Sequence, residues 1–216
     1  MKYAMILSNN ERSYEYLKLL ISEKKFPNFI IYLDFKGDEK LKKKIFTLIY
    51  KKKLNHKSFK GNSVDKKNIS DFIIKLKDKI IIYSGYGGKI IKNKSIFKNK
   101  IFLHSHTGKL PKYKGSTTIY YSLIKERKIY CTTFIMNSQI DKGAVLLVKE
   151  YPLINNYKNI DNYDNKIRAK NICQVLNNFY KLNKAPKKFK ENYSPYYIIH
   201  PILRYIALKK KTFYIN

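Results

Sequence analysis

The sequence predicts an α/β fold, with one mostly parallel sheet covered by helices on both faces. Short apolar runs typical of buried strands alternate along the chain with segments whose apolar residues recur at helical spacing. Strands separated by helices favour parallel pairing through crossover connections. The length of 216 residues suits a single domain, with a core over about 1–155 and a helical C-terminal extension over about 156–216.

The first half of the chain is predicted to supply three strands and two helices. The strands are the apolar runs at residues 3–7, 29–33 and 80–83. Each helix follows from apolar residues three or four apart. These stripes are Tyr14, Leu17, Leu20 and Ile21, and then Ile69, Phe72, Ile73 and Leu76. The lysine runs at 42–44 and 51–53 are interpreted as solvated faces or loops.

The second half continues the alternation and ends in an apolar tail. Residues 101–104, 129–136 and 145–148 are predicted strands. Two helices are predicted, the first capped by Ser116. Their apolar faces are Ile119, Leu123 and Ile124, and then Ile172, Val175, Leu176 and Phe179. The tail over 196–208 is expected to pack back on the core.

The composition is strongly basic, with a formal net charge of +31. Only 4 of the 46 basic residues are arginine, although sites that read nucleic acid commonly rely on its planar guanidinium. The chain is also rich in Asn, Ile, Tyr and Phe, which with Lys are residues of AT-rich codons. We therefore attribute the charge mainly to genome composition and disfavour nucleic acid as a partner. Attraction of an anionic small molecule stays open.

The sequence also bears on location. Two cysteines cannot form a disulfide framework, and reduced thiols suit the cytoplasm, which is the expected compartment. The apolar stretch at the start is too short for a signal peptide, and no apolar run is long enough to span a membrane. We therefore expect no membrane partner.

Candidate functional residues cluster in the middle of the chain. Six of the eight glycines lie between residues 85 and 143, and glycine serves where backbone turns sharply or approaches a ligand. Ligands of open α/β sheets bind at the carboxyl ends of the strands. The glycine turn over 84–88 and the segment after residue 104 follow two such ends, so we expect them to be neighbours.

Two histidines at one strand end are the main candidates for chemistry. His104 and His106 are two residues apart, so their rings point the same way on an extended chain. Asp141 follows in a turn between two predicted strands. A carboxylate beside a histidine orients the ring and stabilises its charged form in acid–base catalysis. The same three residues could instead bind a metal ion, and spacing alone leaves both interpretations open.

Three motifs resemble signatures of the folate-dependent formyltransferases. Residues 104–115, HSHTGKLPKYKG, are similar to Asn-x-His-Pro-Ser-Leu-Leu-Pro-x-Tyr-Arg-Gly. Residues 131–134 and 140–146 resemble Val-Thr-x-His and Val-Asp-x-Gly-x-Ile-Ile. Residues 84–90 are similar to the loop that touches the folate. The family includes enzymes that formylate glycinamide ribonucleotide, methionyl-tRNA and amino sugars.

The resemblance implies a Rossmann-like core and transfer of a formyl group from 10-formyltetrahydrofolate to a primary amine, with no metal. His106 falls on the catalytic histidine and Asp141 on the carboxylate that sets its protonation. His104 falls on an asparagine that donates to the oxyanion. The implied folate-binding residues are Tyr86, Gly87, Gly88, Lys89 and Ile90.

The expected acceptor is a small amine, on an amino sugar carried by a nucleotide. The turn over 8–12 lacks the glycines with which glycinamide ribonucleotide enzymes hold phosphate. Methionyl-tRNA enzymes add a C-terminal domain for which this chain is too short, so the short sugar-type members remain. The substrate-binding candidates are Lys109, Tyr113, Lys114 and Gly115. A homodimer is left open.

The sequence departs from the family pattern at three places. His104 replaces an asparagine, Phe134 stands where many members have a second histidine, and residues 107–109 replace Pro-Ser-Leu. A neutral imidazole can donate one hydrogen bond, so we expect the oxyanion role to persist with an added pH dependence. Two other functions stay open: a metal-dependent hydrolase using His104, His106 and Asp141, and a catalytically degenerate basic binding protein.

Overall fold

A computed structural model describes residues 1–88, 90–154, 159–191 and 193–209. The strands of this part are β1 Ala4–Ser8, β2 Phe29–Asp34, β3 His56–Lys60, β4 Ile80–Ser84, β5 Ile101–His106, β6 Ile129–Ile135 and β7 Ala144–Tyr151. The helices are α1 Glu11–Ser22, α2 Glu39–Lys51, α3 Lys67–Lys75, α4 Ile96–Asn99, α5 Thr118–Glu126, α6 Ile160–Leu182 and α7 Pro201–Lys209.

The strands form one sheet in the order β3-β2-β1-β4-β5-β6-β7. Neighbouring strands from β3 to β5 are parallel, whereas the β5–β6 pair and the β6–β7 pair are antiparallel. The predicted mostly parallel α/β sheet is thus confirmed. The strand order reverses between β1 and β4, so the connections leave these two strands toward opposite sides. A crevice opens at such a switch point, outside the carboxyl ends of the strands.

Two apolar layers cover the sheet, one on each face. Met5 and Leu7 of β1 pack in the layer formed with α1, α2 and α6, whereas Ala4 and Ile6 pack in the layer formed with α3 and α4. Because both faces of β1 are buried, its apolar run is continuous rather than alternating. Helices on both faces are therefore as predicted.

The region over residues 39–60 contains two elements that the sequence analysis did not predict. α2 buries Leu41, Ile45 and Ile49, a stripe only one residue wide at each turn. The run at 42–44 lies on the solvated side of this helix, and the run at 51–53 lies at its C-terminal end. In β3 Phe59 alone is buried, so this edge strand has too little apolar pattern to be recognised.

The predicted cap of α5 is wrong by one residue. Thr117, not Ser116, occupies the N-cap, with φ +50° and no side-chain bond to the helix. Its hydroxyl instead accepts from the Ile199 N–H at 2.9 Å and donates to the Tyr197 carbonyl at 3.3 Å. A contact with the C-terminal segment has replaced the local cap.

The C-terminal extension covers the core with only part of its length. α6 buries its apolar stripe against α1 and the sheet. α7 packs on α5 through Ala207, but Tyr197 and Ile198 are about four-fifths exposed, at 81% and 79%. Within the described residues no helix has the length and apolarity needed to cross a membrane.

Ser13 joins α1 to the two strands that frame the switch point. Its buried hydroxyl donates to the Ser84 carbonyl at 2.8 Å and accepts from the Ser8 N–H at 3.0 Å. Ser13→Ala leaves that N–H unsatisfied, so we expect urea denaturation to record a loss of about 1–3 kcal/mol in the free energy of unfolding. Ser22→Ala, which removes an exposed hydroxyl, should change it by less than about 0.5 kcal/mol. Equal losses would contradict the role of Ser13.

Candidate active site

Polar groups gather where β1, β4 and β5 end side by side. The turn after β4 is tied to the start of α1, because Arg12 donates to the Gly85 carbonyl at 2.5 Å and to the Ser84 hydroxyl at 3.2 Å. β5 pairs with β4, so His104 and His106 lie next to this turn. The sequence prediction that the two strand ends are neighbours is confirmed.

His106 is buried, with 4% of its surface exposed, and hydrogen-bond acceptors face both of its ring nitrogens. Nε2 donates to the Tyr113 carbonyl at 2.7 Å, and Nδ1 lies 3.5 Å from a carboxylate oxygen of Asp141. The Thr118 hydroxyl is 3.1 Å from Nε2. Because carbonyl and carboxylate oxygens only accept, a ring with a hydrogen on each nitrogen satisfies both.

Asp141 is held in place by backbone. It lies in the turn between β6 and β7 with φ +45°, and its side chain is 14% exposed. The Gly115 N–H donates to its Oδ2 at 2.9 Å, the same oxygen that faces His106. The structure therefore brings together His106 and Asp141 as the sequence analysis expected, and it adds Gly115 as the group that aims the carboxylate.

The loop between β5 and α5, residues 107–117, is clamped by a segment that we call the C-terminal strap, residues 196–199. The backbone N–H of Tyr196 donates to the Lys114 carbonyl at 2.8 Å, and the Tyr196 carbonyl accepts from the Ser116 N–H at 2.8 Å. The Tyr196 ring lies parallel to that of Tyr113, with 5.8 Å between centroids. Sequence reasoning missed this role of the strap, because pairing across 80 residues leaves no local pattern.

His104 presents only one protonated nitrogen, and that nitrogen is occupied. Nδ1 donates to the Tyr83 carbonyl at 3.0 Å. Burial lowers the pKa of His104 well below its ordinary value, and the positive charges of Arg12 and Arg168 lower it further. A neutral ring with its hydrogen on Nδ1 has none on Nε2. A neutral His104 in this geometry therefore has no hydrogen to donate to an oxyanion.

Arg168 continues the polar network on the side of α6. It pairs with Asp164 at 2.9 Å and donates to the Ser105 carbonyl at 3.1 Å. Asp164 accepts from the Thr107 hydroxyl, at the start of the β5–α5 loop. Arg12 and Arg168 were not among the predicted site residues. The available signal was their identity, since the chain has only four arginines among 46 basic residues.

The segment expected to bind folate follows β4 and is open to solvent. Gly87 and Gly88 are exposed, and a Cβ added to Gly87 would meet nothing within 4 Å. Ile90 is 41% exposed. Tyr86 accepts from the Phe35 N–H at 3.1 Å and donates to the Leu33 carbonyl at 3.3 Å, which fastens the segment to the end of β2. Lys89 lies outside the described residues.

The four substrate-binding candidates occupy different environments. Lys109 is exposed, with its ammonium 5.5 Å from the centroid of the Tyr130 ring. Lys114 is buried, and Gly115 serves Asp141. Tyr113 is fully buried and donates to Glu126 at 2.8 Å, so its ring offers no face for stacking on a substrate. The contribution of Tyr113 is its carbonyl, which fixes His106.

Access to Asp141 comes from a narrow cleft. Its walls are Leu110, Pro111, Lys114, Lys142, Gly143, Val145, Phe189 and Glu191. Across the described residues no three His, Cys, Asp or Glu side chains come together as a metal-binding set. The arrangement of His104, His106 and Asp141 therefore gives the metal-dependent alternative no support.

Comparison with known sequences identifies a common family. A family model described as "Formyl transferase" matches residues 1–178. A methionyl-tRNA formyltransferase of Finegoldia magna is 29% identical over 135 residues, which cover 60% of this chain and 43% of the relative. One from Helicobacter pylori is 28% identical over 146 residues, covering 65% and 46%. The chain spans about half the length of these curated relatives.

Solved structures share the fold. A sugar N-formyltransferase from a Shewanella species has a TM-score of 0.66 at 19% identity, covering 96% of this chain and 87% of that one. A 4-N formyltransferase from Francisella tularensis has a TM-score of 0.62 at 17% identity, covering 96% and 86%. Glycinamide ribonucleotide transformylase 1 from Symbiobacterium toebii has a TM-score of 0.63 at 11% identity, covering 84% and 88%.

The low pKa of His104 predicts how stability depends on pH. Below its ordinary pKa of about 6.5, the unfolded chain binds a proton there that the folded protein resists. Stability is therefore lost as the pH falls from about 7 toward 5, by at most about 1.4 kcal/mol per pH unit for one proton. In urea denaturation at each pH, His104→Asn should lose less stability over this range than wild type. Parallel curves would contradict the prediction.

Gly115 is expected to tolerate no side chain. Its φ is +101°, and an added Cβ would collide with the Tyr196 carbonyl oxygen and lie 2.7 Å from the Tyr196 nitrogen. We expect Gly115→Ala to lower the free energy of unfolding by about 1–3 kcal/mol, measured in urea. Gly87→Ala has open space and no positive φ, so it should stay within about 0.5 kcal/mol of wild type. If Gly115→Ala kept the wild-type free energy of unfolding, the Tyr196 backbone would have to move away from residue 115, and the prediction would be wrong.

Proposed function

The chain belongs to the formyl transferase family, and on this basis we propose that it transfers a formyl group from 10-formyltetrahydrofolate to a primary amine. The observation that carries the proposal is the pairing of His106 with Asp141 at the carboxyl edge of the sheet. This pair and the exposed Gly87 and Gly88 after β4 lie at the same edge of the sheet, because β5 pairs with β4.

His106 is proposed to act through the charge of its ring. The Tyr113 carbonyl and the Asp141 carboxylate both favour a hydrogen on the ring nitrogen that they face. Asp141 thereby supports a charged ring, and Gly115 keeps the carboxylate aimed at it. A charged ring beside a carbonyl under attack stabilises the negative charge that develops on its oxygen.

The residues after β4 fit a folate. The bound folate would supply the formyl group. Gly87 and Gly88 present accessible backbone N–H and C=O groups, and Ile90 presents an apolar surface, which together suit a flat ring with polar edges. Tyr86 positions this segment through β2. Lys89 completes the proposed binding residues, and no metal is required.

The proposed acceptor is the amine of an amino sugar carried on a nucleotide. The exposed ammonium of Lys109 and the net charge of +31 would draw a diphosphate toward the site at low salt. The overall similarity to sugar N-formyltransferases agrees with this acceptor. The names of the curated relatives instead indicate methionyl-tRNA, which the experiment therefore includes. We propose the cytoplasm as the location.

Formyl transfer is tested by following the loss of 10-formyltetrahydrofolate in the presence of amino-sugar nucleotides or methionyl-tRNA. His106→Asn should lower kcat by roughly 10²- to 10³-fold, because a neutral amide cannot supply the positive charge that stabilises the developing negative oxygen. His56→Asn is the matched control. His56 lies in β3 at the far edge of the sheet, so this variant should retain the wild-type rate.

Calorimetric titration with 5-formyltetrahydrofolate, a stable folate, tests the donor site separately. Binding by the metal-free protein is the expected result. A folded protein that binds no folate would refute formyl transfer from this donor. Transfer to methionyl-tRNA alone would keep the reaction and replace the proposed acceptor.

A further inference from the structure

One ring nitrogen of His104 has no role in the proposed function. Nδ1 donates to the Tyr83 carbonyl, which only accepts, so the hydrogen of a neutral ring lies on Nδ1. Nε2 then carries a lone pair, and it has no hydrogen-bond partner among the described residues. The ring is partly exposed, at the end of β5 and two residues from His106.

The surroundings of His104 fix this orientation of the ring. Tyr83 packs edge-on at 6.1 Å between centroids, and Phe134 packs at 5.9 Å with the ring planes 87° apart. A flipped ring would turn a C–H toward the Tyr83 carbonyl and lose the hydrogen bond. The lone pair of Nε2 is therefore directed away from β4, on the same edge of the sheet as the His106–Asp141 pair.

We propose that His104 is the catalytic base of the reaction and that its Nε2 accepts a proton from the attacking amine. This inference rests on the proposed function and deepens it. It reverses the direction of the hydrogen bond that the family resemblance implies, because Nε2 of His104 receives a proton instead of donating one.

The proton balance closes with this assignment. The amine nitrogen attacks the formyl carbon with its lone pair, and the new C–N bond makes that nitrogen cationic and acidic. Its proton passes to Nε2 of His104. While charged, His104 also stabilises the negative oxygen beside it. As the bond between the formyl carbon and the folate nitrogen breaks, His104 returns the proton to that leaving nitrogen. The products are the formylated amine and tetrahydrofolate.

The charges around His104 keep its lone pair available. Burial lowers the pKa of the ring, as do Arg12 on α1, Arg168 on α6 and His106 on its own strand, while the hydrogen bond to Tyr83 raises it. The ring is therefore neutral near pH 7. A weak base is sufficient, since the attacking nitrogen becomes a strong acid once it is bonded to the formyl carbon.

The tautomer is measured by long-range proton–nitrogen NMR on protein with isotope-labelled histidine, and His104→Asn assigns the signal. We expect a protonated Nδ1 and a bare Nε2 at about pH 7, with and without 5-formyltetrahydrofolate. A hydrogen on Nε2 at that pH, or a doubly protonated ring, would overturn the proposal. This readout depends on no acceptor.

Kinetics distinguish a base from a hydrogen-bond donor. His104→Asn retains a donor in its amide but cannot take up a proton. We expect kcat to fall by roughly 10²-fold or more, the acidic limb of its pH profile to disappear, and KM for the folate to stay the same. A variant at least as fast as wild type would establish the donor role instead. His56→Asn makes the same substitution at the far edge of the sheet and should leave the rate and its pH profile unchanged.

The two hypotheses fail in different ways. If folded wild-type protein binds no 5-formyltetrahydrofolate, the proposed function fails, and the base assignment fails with it. If the folate binds and transfer proceeds while His104→Asn keeps its rate, or while NMR finds a hydrogen on Nε2, only the base assignment fails.

Discussion

The backbone of the β5–α5 loop is the constraint on which the candidate site depends. The carbonyl of Tyr113 fixes one nitrogen of His106, and the N–H of Gly115 fixes the carboxylate that faces the other. Both groups belong to main chain, so their positions follow the path of the loop rather than the choice of side chain. That path is set by Tyr196, which pairs with the residues on either side of Gly115. The residues outside the matched family segment, which ends at 178, thus hold the centre of the site.

Electrostatics at the sheet edge come from the arginines rather than from the lysines that dominate the composition. Arg168 forms an ion pair with Asp164, which offsets its charge. Arg12 instead donates to two neutral groups, the Ser84 hydroxyl and the Gly85 carbonyl. Burial lowers the pKa of Arg12, as expected where a guanidinium replaces water with neutral partners. The positive field of these two groups acts on His104 far more than the net charge does, because exposed lysines are screened within about 10 Å at ordinary salt.

The sequence predicted the fold class and most of the elements, because β1, β2, β4 and the stripes of α1 and α3 repeat at the period of their own structure. α2 and β3 were not predicted, because lysines interrupt their narrow apolar pattern. In the site, the resemblance to the family motifs predicted that His106 and Asp141 lie together, as they do. Spacing could not reveal that the Tyr113 ring is buried, that Tyr196 clamps the loop or that Tyr83 takes the one hydrogen of His104. Each of these depends on a partner distant in sequence.

Two of the three departures of this chain from the family pattern meet in space. His104 and Phe134 are directly opposite each other in the β5–β6 ladder. The family pattern has asparagine at the first position and commonly histidine at the second, so this chain carries its imidazole on the neighbouring strand of the same pair. Side chains that face each other on adjacent strands are about 5 Å apart at their Cβ atoms, and an imidazole on either strand therefore reaches the same edge. Phe134 now supplies a ring wall for His104 instead of a polar group. The exchange places the imidazole on β5 instead of β6, and the Tyr83 carbonyl then determines which of its nitrogens carries the hydrogen.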